Sequence, residues 1–334
     1  MKRAIIAYTL VVALATGSQT GVVGNVPPEA GELKISSDNQ LASVTTPRGL
    51  WLAGMNGLAD WHLVFDGFVI GSGFGAGGRV WLRTRDDVYI SSDFGAHWRA
   101  LNLGQLMSNG VVEAFAITDR NDMWAGIRIN NDEWRRSQYG QGPNHAIRYN
   151  PGLGLFVSKD DGEHWKRNGW RASDAYIRQI VFYDVDHGIV RTEAKTYWTA
   201  NEGISWAPSE FVDRDRTLSV ADIVRDGTSF LATRSTDMIL GYQDGHLFSS
   251  RDGGSHWEVI HTRTPIDFFE TACFTSISNG AGLMTATGIV YVTNDGGKEW
   301  RRVPELSKSV SLACGVFGDI YAIQDNTIIK LTLR

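Results

Sequence analysis

One eight-residue phrase recurs along this chain and constrains the fold more than any other feature. It runs hydroxyl, any, Asp or Asn, any, Gly, two variable positions, Trp. Full copies are Ser91, Asp93, Gly95, Trp98; Ser158, Asp160, Gly162, Trp165; Thr199, Asn201, Gly203, Trp206; Ser250, Asp252, Gly254, Trp257; and Thr293, Asp295, Gly297, Trp300. A decayed copy spans Gly54 to Trp61 and keeps Asn56 and Trp61. Six of the 12 Trp close such a phrase, so the phrase organises the chain.

The octet has a mechanical logic. A short Asp or Asn side chain accepts backbone N–H groups just ahead of it and closes a turn. Gly two positions later supplies positive φ. The hydroxyl adds a second local bond, and the Trp enters the next strand and packs back over the hairpin. Alternating apolar segments precede the octets, such as 88–90, 155–157 and 289–292, and short amphipathic ones follow. Two more apolar stretches complete each unit, for example 114–117 and 123–127. Period-two runs broken by Gly, Asn and Asp are strands, and no sustained helical period exists beyond the first residues. Four strands per unit make a propeller blade. A remainder after Trp300 reads as three strands, 311–314, 319–323 and 328–333, with a strand near Leu33–Ser36 expected to close the ring. Seven blades of roughly 43 residues follow from the usual repeat length, and six longer ones fit the same chain.

These octets resemble the Asp-box, or BNR, repeat of sialidase-like β-propellers, over about residues 33–334. The resemblance implies an all-β propeller with each box between the third and fourth strands of a blade, away from the ligand face. Sialidases of this group clamp a carboxylate with three Arg, the first in a Phe/Tyr-Arg-Ile/Leu-Pro phrase. Here Thr46, Pro47, Arg48 and Gly49 stand instead. A short chain lacking the hydrolase residues is most similar to the photosystem II stability/assembly factor-like propellers. That likeness implies a non-catalytic protein that holds a partner protein. The alternative reading is a glycoside hydrolase or glycan-binding propeller.

Residues 1–15 read as a signal peptide, with cleavage near 15–24 and a single propeller domain over 25–334. Lys2 and Arg3 precede an apolar run, Ala4–Leu14, that ends in the small-x-small pattern Ala13, Leu14, Ala15. About 20 apolar residues are needed to span a bilayer, and this run is shorter. The expectation is a periplasmic or secreted monomer without membrane insertion. A net charge of −5 offers no footprint for nucleic acid. Cys273 and Cys314 are the only cysteines. Export permits a disulfide, yet equivalent strands of neighbouring units need not approach bonding range, so the pair is read as two buried small thiols.

The interval between Asp93 and Asp160 is the longest and contains an inserted loop at about 128–152. Long loops in compact domains carry function or lack order. This one concentrates Trp134, Arg135, Arg136, Tyr139 and Arg148, the residue types that dominate binding energy at interfaces. A self-packed insertion with Trp134 as its private core fits the same composition. Arg83 and Arg85 are secondary partner-binding candidates, alternating on a strand toward the central channel, with Arg191, Glu193 and Lys195 in a comparable place. The run Gly71–Gly78 reads as the turn between two strands, since no Lys-Ser/Thr helix start follows. No catalytic residue, cofactor or metal site is expected. His97, His164 and His256 each precede an octet Trp in separate blades and are structural.

Overall fold

In the computed structural model the described residues are 18–107, 110–129, 153–170, 176–192, 195–213, 233–235, 238–243, 246–263, 271–274, 281–284, 288–315 and 319–333. Their strands form seven sheets. The first holds Leu33–Ile35, Leu41–Thr45, Gly49–Gly54 and His62–Asp66. The second holds Gly71–Phe74, Val80–Arg83, Val88–Ser91 and Arg99–Ala100. The third holds Gly110–Ile117, Met123–Ile129, Leu153–Ser158 and Lys166–Arg167. The fourth holds Ile177–Phe182, Gly188–Thr192, Thr196–Thr199 and Ala207–Pro208. In the fifth, Thr233–Ser235, Met238–Gln243, His246–Ser250 and His256–Ile260 gain an outer parallel strand, Glu210–Val212. The sixth holds Thr271–Phe274, Ala281–Met284, Val290–Thr293 and Arg301–Val303.

The seventh sheet corrects an expectation. Its strands Ser311–Cys314, Asp319–Gln324 and Thr327–Leu333 take Ser18–Asn25, not 33–36, as their closing outer strand. Leu33–Ile35 instead opens the first sheet, beside Leu41–Thr45. The described strands therefore begin at Ser18, ahead of the expected domain start at 25. Closure pairs an edge that would otherwise invite aggregation.

Contacts between successive sheets complete a cycle. Lys34 Nζ donates to the Ser72 carbonyl at 2.7 Å, Arg83 to Val112 at 2.9 Å, and Leu33 N to Ser311 Oγ at 2.8 Å. Arg120 meets Glu202 at 3.2 Å, Tyr183 donates to Gly253, and Arg263 meets Glu299 at 2.9 Å. Sheets six and seven are joined covalently. Cys273 and Cys314 form a disulfide with Cα atoms 5.7 Å apart, which overturns the reading of two free thiols. Both lie on first strands of neighbouring sheets, where the ring brings equivalent positions within bonding range.

Every octet joins a third strand to a fourth. In the five full copies the hydroxyl accepts the Gly N–H: Gly95 at 2.8 Å, Gly162 at 2.9 Å, Gly203 at 3.0 Å, Gly254 at 2.8 Å and Gly297 at 3.0 Å. The same hydroxyl donates to Oδ1 of Asp93, Asp160, Asn201, Asp252 or Asp295 at 2.8–2.9 Å. That oxygen then accepts the backbone N–H of His97, His164, Ser205, His256 or Glu299 at 2.9–3.0 Å. Led by the His97 and His164 backbone bonds, the Asp93 and Asp160 carboxyls are held at about 2. Nδ1 of His97, His164 and His256 also faces its octet Asp, at 2.6, 2.7 and 2.5 Å. The side-chain bond from Asp252 raises the His256 pKa.

The octet Gly does a second job. All five have positive φ, 71–92°. A Cβ there would press on the preceding sheet: 2.8 Å from Val64 at Gly95, 2.7 Å from Leu101 at Gly162, 2.3 Å from Trp124 at Gly203 and 3.0 Å from Leu247 at Gly297. Trp165, Trp257 and Trp300 donate their indole N–H to the octet Gly carbonyl at 3.1, 2.9 and 2.9 Å. Trp98 reaches back instead to Val64 O of the first sheet at 2.7 Å. At Trp206 the Gly203 carbonyl is taken by Asn168 Nδ2 at 2.7 Å.

Gly203→Ala and Gly254→Ala separate the two jobs. Both carry positive φ, but the nearest atom to a Cβ at 254 is 3.4 Å away. Left-handed backbone costs an L-residue roughly 1–2 kcal/mol, and overpacking adds about 1–3 kcal/mol. Chemical denaturation is expected to show about 3 kcal/mol lost at 203 and about 1 kcal/mol at 254. Equal losses would remove the inter-sheet role.

Candidate functional site

Antiparallel alternation sorts the turns onto two faces of the ring. First-to-second turns and octets share one face. Second-to-third turns and the links between sheets share the other. The octet face is occupied by structural pairing: Arg79 and Arg99 both engage Asp161 of the next sheet, and Lys159 bridges Glu202 at 2.9 Å and Asp122 at 3.8 Å. The opposite face carries the candidate site.

Three consecutive sheets carry an Arg at the last or next-to-last residue of their second strand. Val80, Met123 and Gly188 sit opposite the octet hydroxyls of Ser91, Ser158 and Thr199. Arg83, Arg128 and Arg191 lie three, five and three residues further on, an odd number each, so they share one side of their sheets. Arg83 is half-buried, and burial pushes its pKa below the ordinary value while Glu113 opposes the shift. Arg128 is 6% exposed, and its Nε lies 2.8 Å from Glu113 Oε1, itself 17% exposed. The Arg128 guanidinium stacks 5.0 Å from the Tyr176 ring centroid, and Arg178 stacks on the same ring at 5.1 Å.

Two irregular residues assemble this cluster. The first strands of the third and fourth sheets shift register between Val112 and Ala114 and between Ile177 and Gln179. The extra residues are Glu113 and Arg178. A bulge re-aims one side chain out of the alternation, a device found beside functional sites. Three guanidinium groups, one carboxylate and one ring thus gather across sheets two to four. Guanidinium presents a planar fork matched to carboxylates, and Tyr stacks with cations, so the arrangement suits recognition of acidic side chains.

The expected positions divide as follows. Arg83 ends its strand and reaches the next sheet; Arg85 lies beyond it, exposed in the second-to-third turn, so the two do not alternate on a strand toward the channel. Arg191 is buried and Lys195 exposed at the corresponding turn of sheet four, while Glu193 lies outside the described residues. Trp134, Arg135, Arg136, Tyr139 and Arg148 also lie outside them. Gly71–Phe74 is itself a first strand, and only Ala76–Gly78 forms the turn. Glu113, Tyr176 and Arg178 were not singled out from sequence; an Arg-Glu-Tyr grouping spread over two sheets leaves no local signal. Among the described residues no group of three or more His, Cys, Asp or Glu is placed to hold a metal ion. Among them no helix is long and apolar enough to cross a membrane.

Comparison with known proteins places the fold. No family model matches the chain. It is similar to solved β-propellers: Ycf48 from Cyanidioschyzon merolae (TM-score 0.59, 14% identity, 95% of this chain and 99% of that one) and a streptogramin B lyase (TM-score 0.62, 11% identity, 95% and 97%). An ancestral GH74 enzyme gives TM-score 0.58 and 13% identity over 94% of this chain and 46% of that one. The fold class is that of a β-propeller. In sequence, the photosystem II assembly lipoprotein Ycf48 of Synechococcus sp. (strain CC9902) is 25% identical over 169 residues, 49% of this chain and 46% of that protein. The match thus spans about half of each.

Glu113→Ala would leave Arg128 nearly buried without its carboxylate. Breaking buried pairs costs about 3–5 kcal/mol, and with the Tyr176 stack retained about 2–3 kcal/mol is expected in denaturant melts. Arg48→Ala removes an exposed pair, 3.6 Å from Asp66, and is expected to cost under about 0.5 kcal/mol. Similar small losses for both would show that the Glu113–Arg128 pair is not integral to the site.

Proposed function

We propose that this chain is an exported, non-enzymatic, seven-bladed propeller that holds a segment of a partner protein on its second-to-third-turn face, in an assembly, scaffold or inhibitor-type role. The observation that carries the reading is the cluster of Arg83, Glu113, Arg128, Tyr176 and Arg178 on a chain whose net charge is −5. A local basic island on an acidic protein favours an acidic partner segment and steers its approach. The half-length likeness to an assembly lipoprotein supports the assembly role. The octet architecture supports kinship with Asp-box propellers.

The loop at 128–152 belongs to the same reading. It leaves the third sheet at the end of Met123–Ile129 and rejoins it at Leu153–Ser158, so Arg128 sits at its root. Trp134, Arg135, Arg136, Tyr139 and Arg148 are the contact residues that this reading assigns to the loop. Export is supported by the order of charge, apolar run and small residues in 1–15, and by the disulfide, which belongs to oxidising compartments. Cleavage after Ala15 would leave the closing strand Ser18–Asn25 whole. These features favour a periplasmic or secreted location, and a monomer is part of the same proposal. The hydrolase or glycan-binding reading is left with fold likeness alone, and fold does not carry function.

An affinity pull-down from extracts of the native host tests this, using wild type, Trp134→Ala/Arg135→Ala and Arg83→Gln/Arg85→Gln. One protein partner is expected with wild type, reduced roughly tenfold with either double variant. Equal recovery with all three would contradict the docking face, and turnover of fluorogenic glycosides by purified protein would contradict the non-enzymatic reading.

A further inference from the structure

Beside the arginine cluster the link from the first to the second sheet, Gly67 to Ile70, exposes two large apolar side chains. Phe68 is 70% exposed and Ile70 45%. Single exposed apolar residues are ordinary, so exposure alone says little. The anchoring of this link is the informative part. Gly67 N donates to Arg48 O at 2.8 Å, and Ile70 N donates to Arg83 O at 2.8 Å. Between them Val69 is buried with Leu50, Leu52 and Leu82. With both ends of the link bonded and Val69 buried between them, Phe68 and Ile70 are left on the solvent side. The apolar pair is thus a fixed step, bonded through its backbone to the residue that opens the basic cluster.

Among the described residues, Val310, Phe94 and Ile204 are exposed in other settings. Val310, 56% exposed, occupies the equivalent place before the seventh sheet, but its N–H donates to Ile323 and meets no cation there. Phe94 and Ile204 stand on octet turns of separate sheets, on the opposite face.

We propose that Phe68 and Ile70 form an apolar anchor site continuous with Arg83, and that the face takes an extended protein segment in which a large apolar side chain lies within a few residues of one or more carboxylates. The proposal rests on the docking-face reading above and names the partner's chemistry. Charge complementarity sets the acidic part. Burial argues against a flat anionic lipid surface as the occupant: Arg128 is 6% exposed and Arg83 half-buried, which leaves little of either charge to a plane of headgroups. The apolar part adds burial and register, because a segment anchored at Phe68 presents its next residues to Arg83 and Arg85.

Selection of a random peptide library of about twelve residues on the full chain tests this, followed by fluorescence anisotropy of the enriched peptides with Phe68→Ser, Ile70→Ser and Arg83→Gln. Phe68 and Ile70 are exposed, so their variants are expected to keep the wild-type melting curve. The expected result is enrichment of peptides pairing a large apolar residue with nearby Asp or Glu, bound roughly tenfold more weakly by each variant. Acidic peptides without apolar preference, sensitive to Arg83→Gln alone, would overturn the anchor and leave the docking face standing. No enrichment, or peptides insensitive to Arg83→Gln, would overturn both. Sedimentation with phosphatidylglycerol vesicles, or a dimer in analytical ultracentrifugation, that Phe68→Ser abolishes would also overturn the proposal in favour of a membrane or a second copy.

Discussion

The structure depends on a glycine N–H donated to a hydroxyl four residues earlier. At Gly203 that bond, to Thr199 Oγ1, is 3.0 Å long and fixes a turn with φ of 71°. The hydroxyl donates its own hydrogen bond to Asn201 Oδ1, which also accepts the Ser205 N–H, so three backbone and side-chain groups are satisfied in one short relay. A net intramolecular hydrogen bond contributes only about 0.5–1.5 kcal/mol. The relay gains its weight from repetition and from what the missing Cβ allows. Trp124 of the preceding sheet packs over Gly203 as Leu101 does over Gly162. Local turn chemistry and inter-sheet packing are therefore the same residues, and ring formation follows from octets that each engage their predecessor.

The seventh sheet carries no octet and is joined to its neighbours differently. Ser18–Asn25 pairs with Thr327–Leu333, Leu33 reaches Ser311, and the Cys273–Cys314 bond ties the sixth sheet to the seventh. Closing a 41-residue separation by a disulfide restricts the unfolded chain, typically by about 2–4 kcal/mol. Because the octet face is filled by turn relays and ion pairs such as Arg79–Asp161, the opposite face is where strand ends are free to diverge in sequence. Arg83, Arg128 and Arg191 use that freedom in three neighbouring sheets.

The sequence made the octets, the four-strand unit and the place of each octet legible because those are local patterns: a Ser-Asp-Gly-Trp spacing and period-two alternation. Arg83 was legible as a charged strand residue, although Arg85, expected to alternate with it, lies beyond the strand. The rest is non-local. Nothing in residues 273 and 314 says that first strands of adjacent sheets come within 5.7 Å at Cα. The closing strand contains Gln19, Gly21 and Gly24, a poor strand signal made good by pairing with Ile328 and Ile329. Glu113 and Arg178 carry no site signal in the sequence; each sits at a register shift and meets Arg128 or Tyr176.

The central claim is a division of labour between two faces: octets hold the ring, and second-to-third turns hold a partner. Site-specific photocross-linking in the native host tests it most directly, with a benzophenone side chain placed at the position of Arg85 on one face or Ile204 on the other. The account expects a discrete adduct with one partner protein from the Arg85 position and none from the Ile204 position. Adducts with that partner from the octet face, with the other face silent, would contradict it.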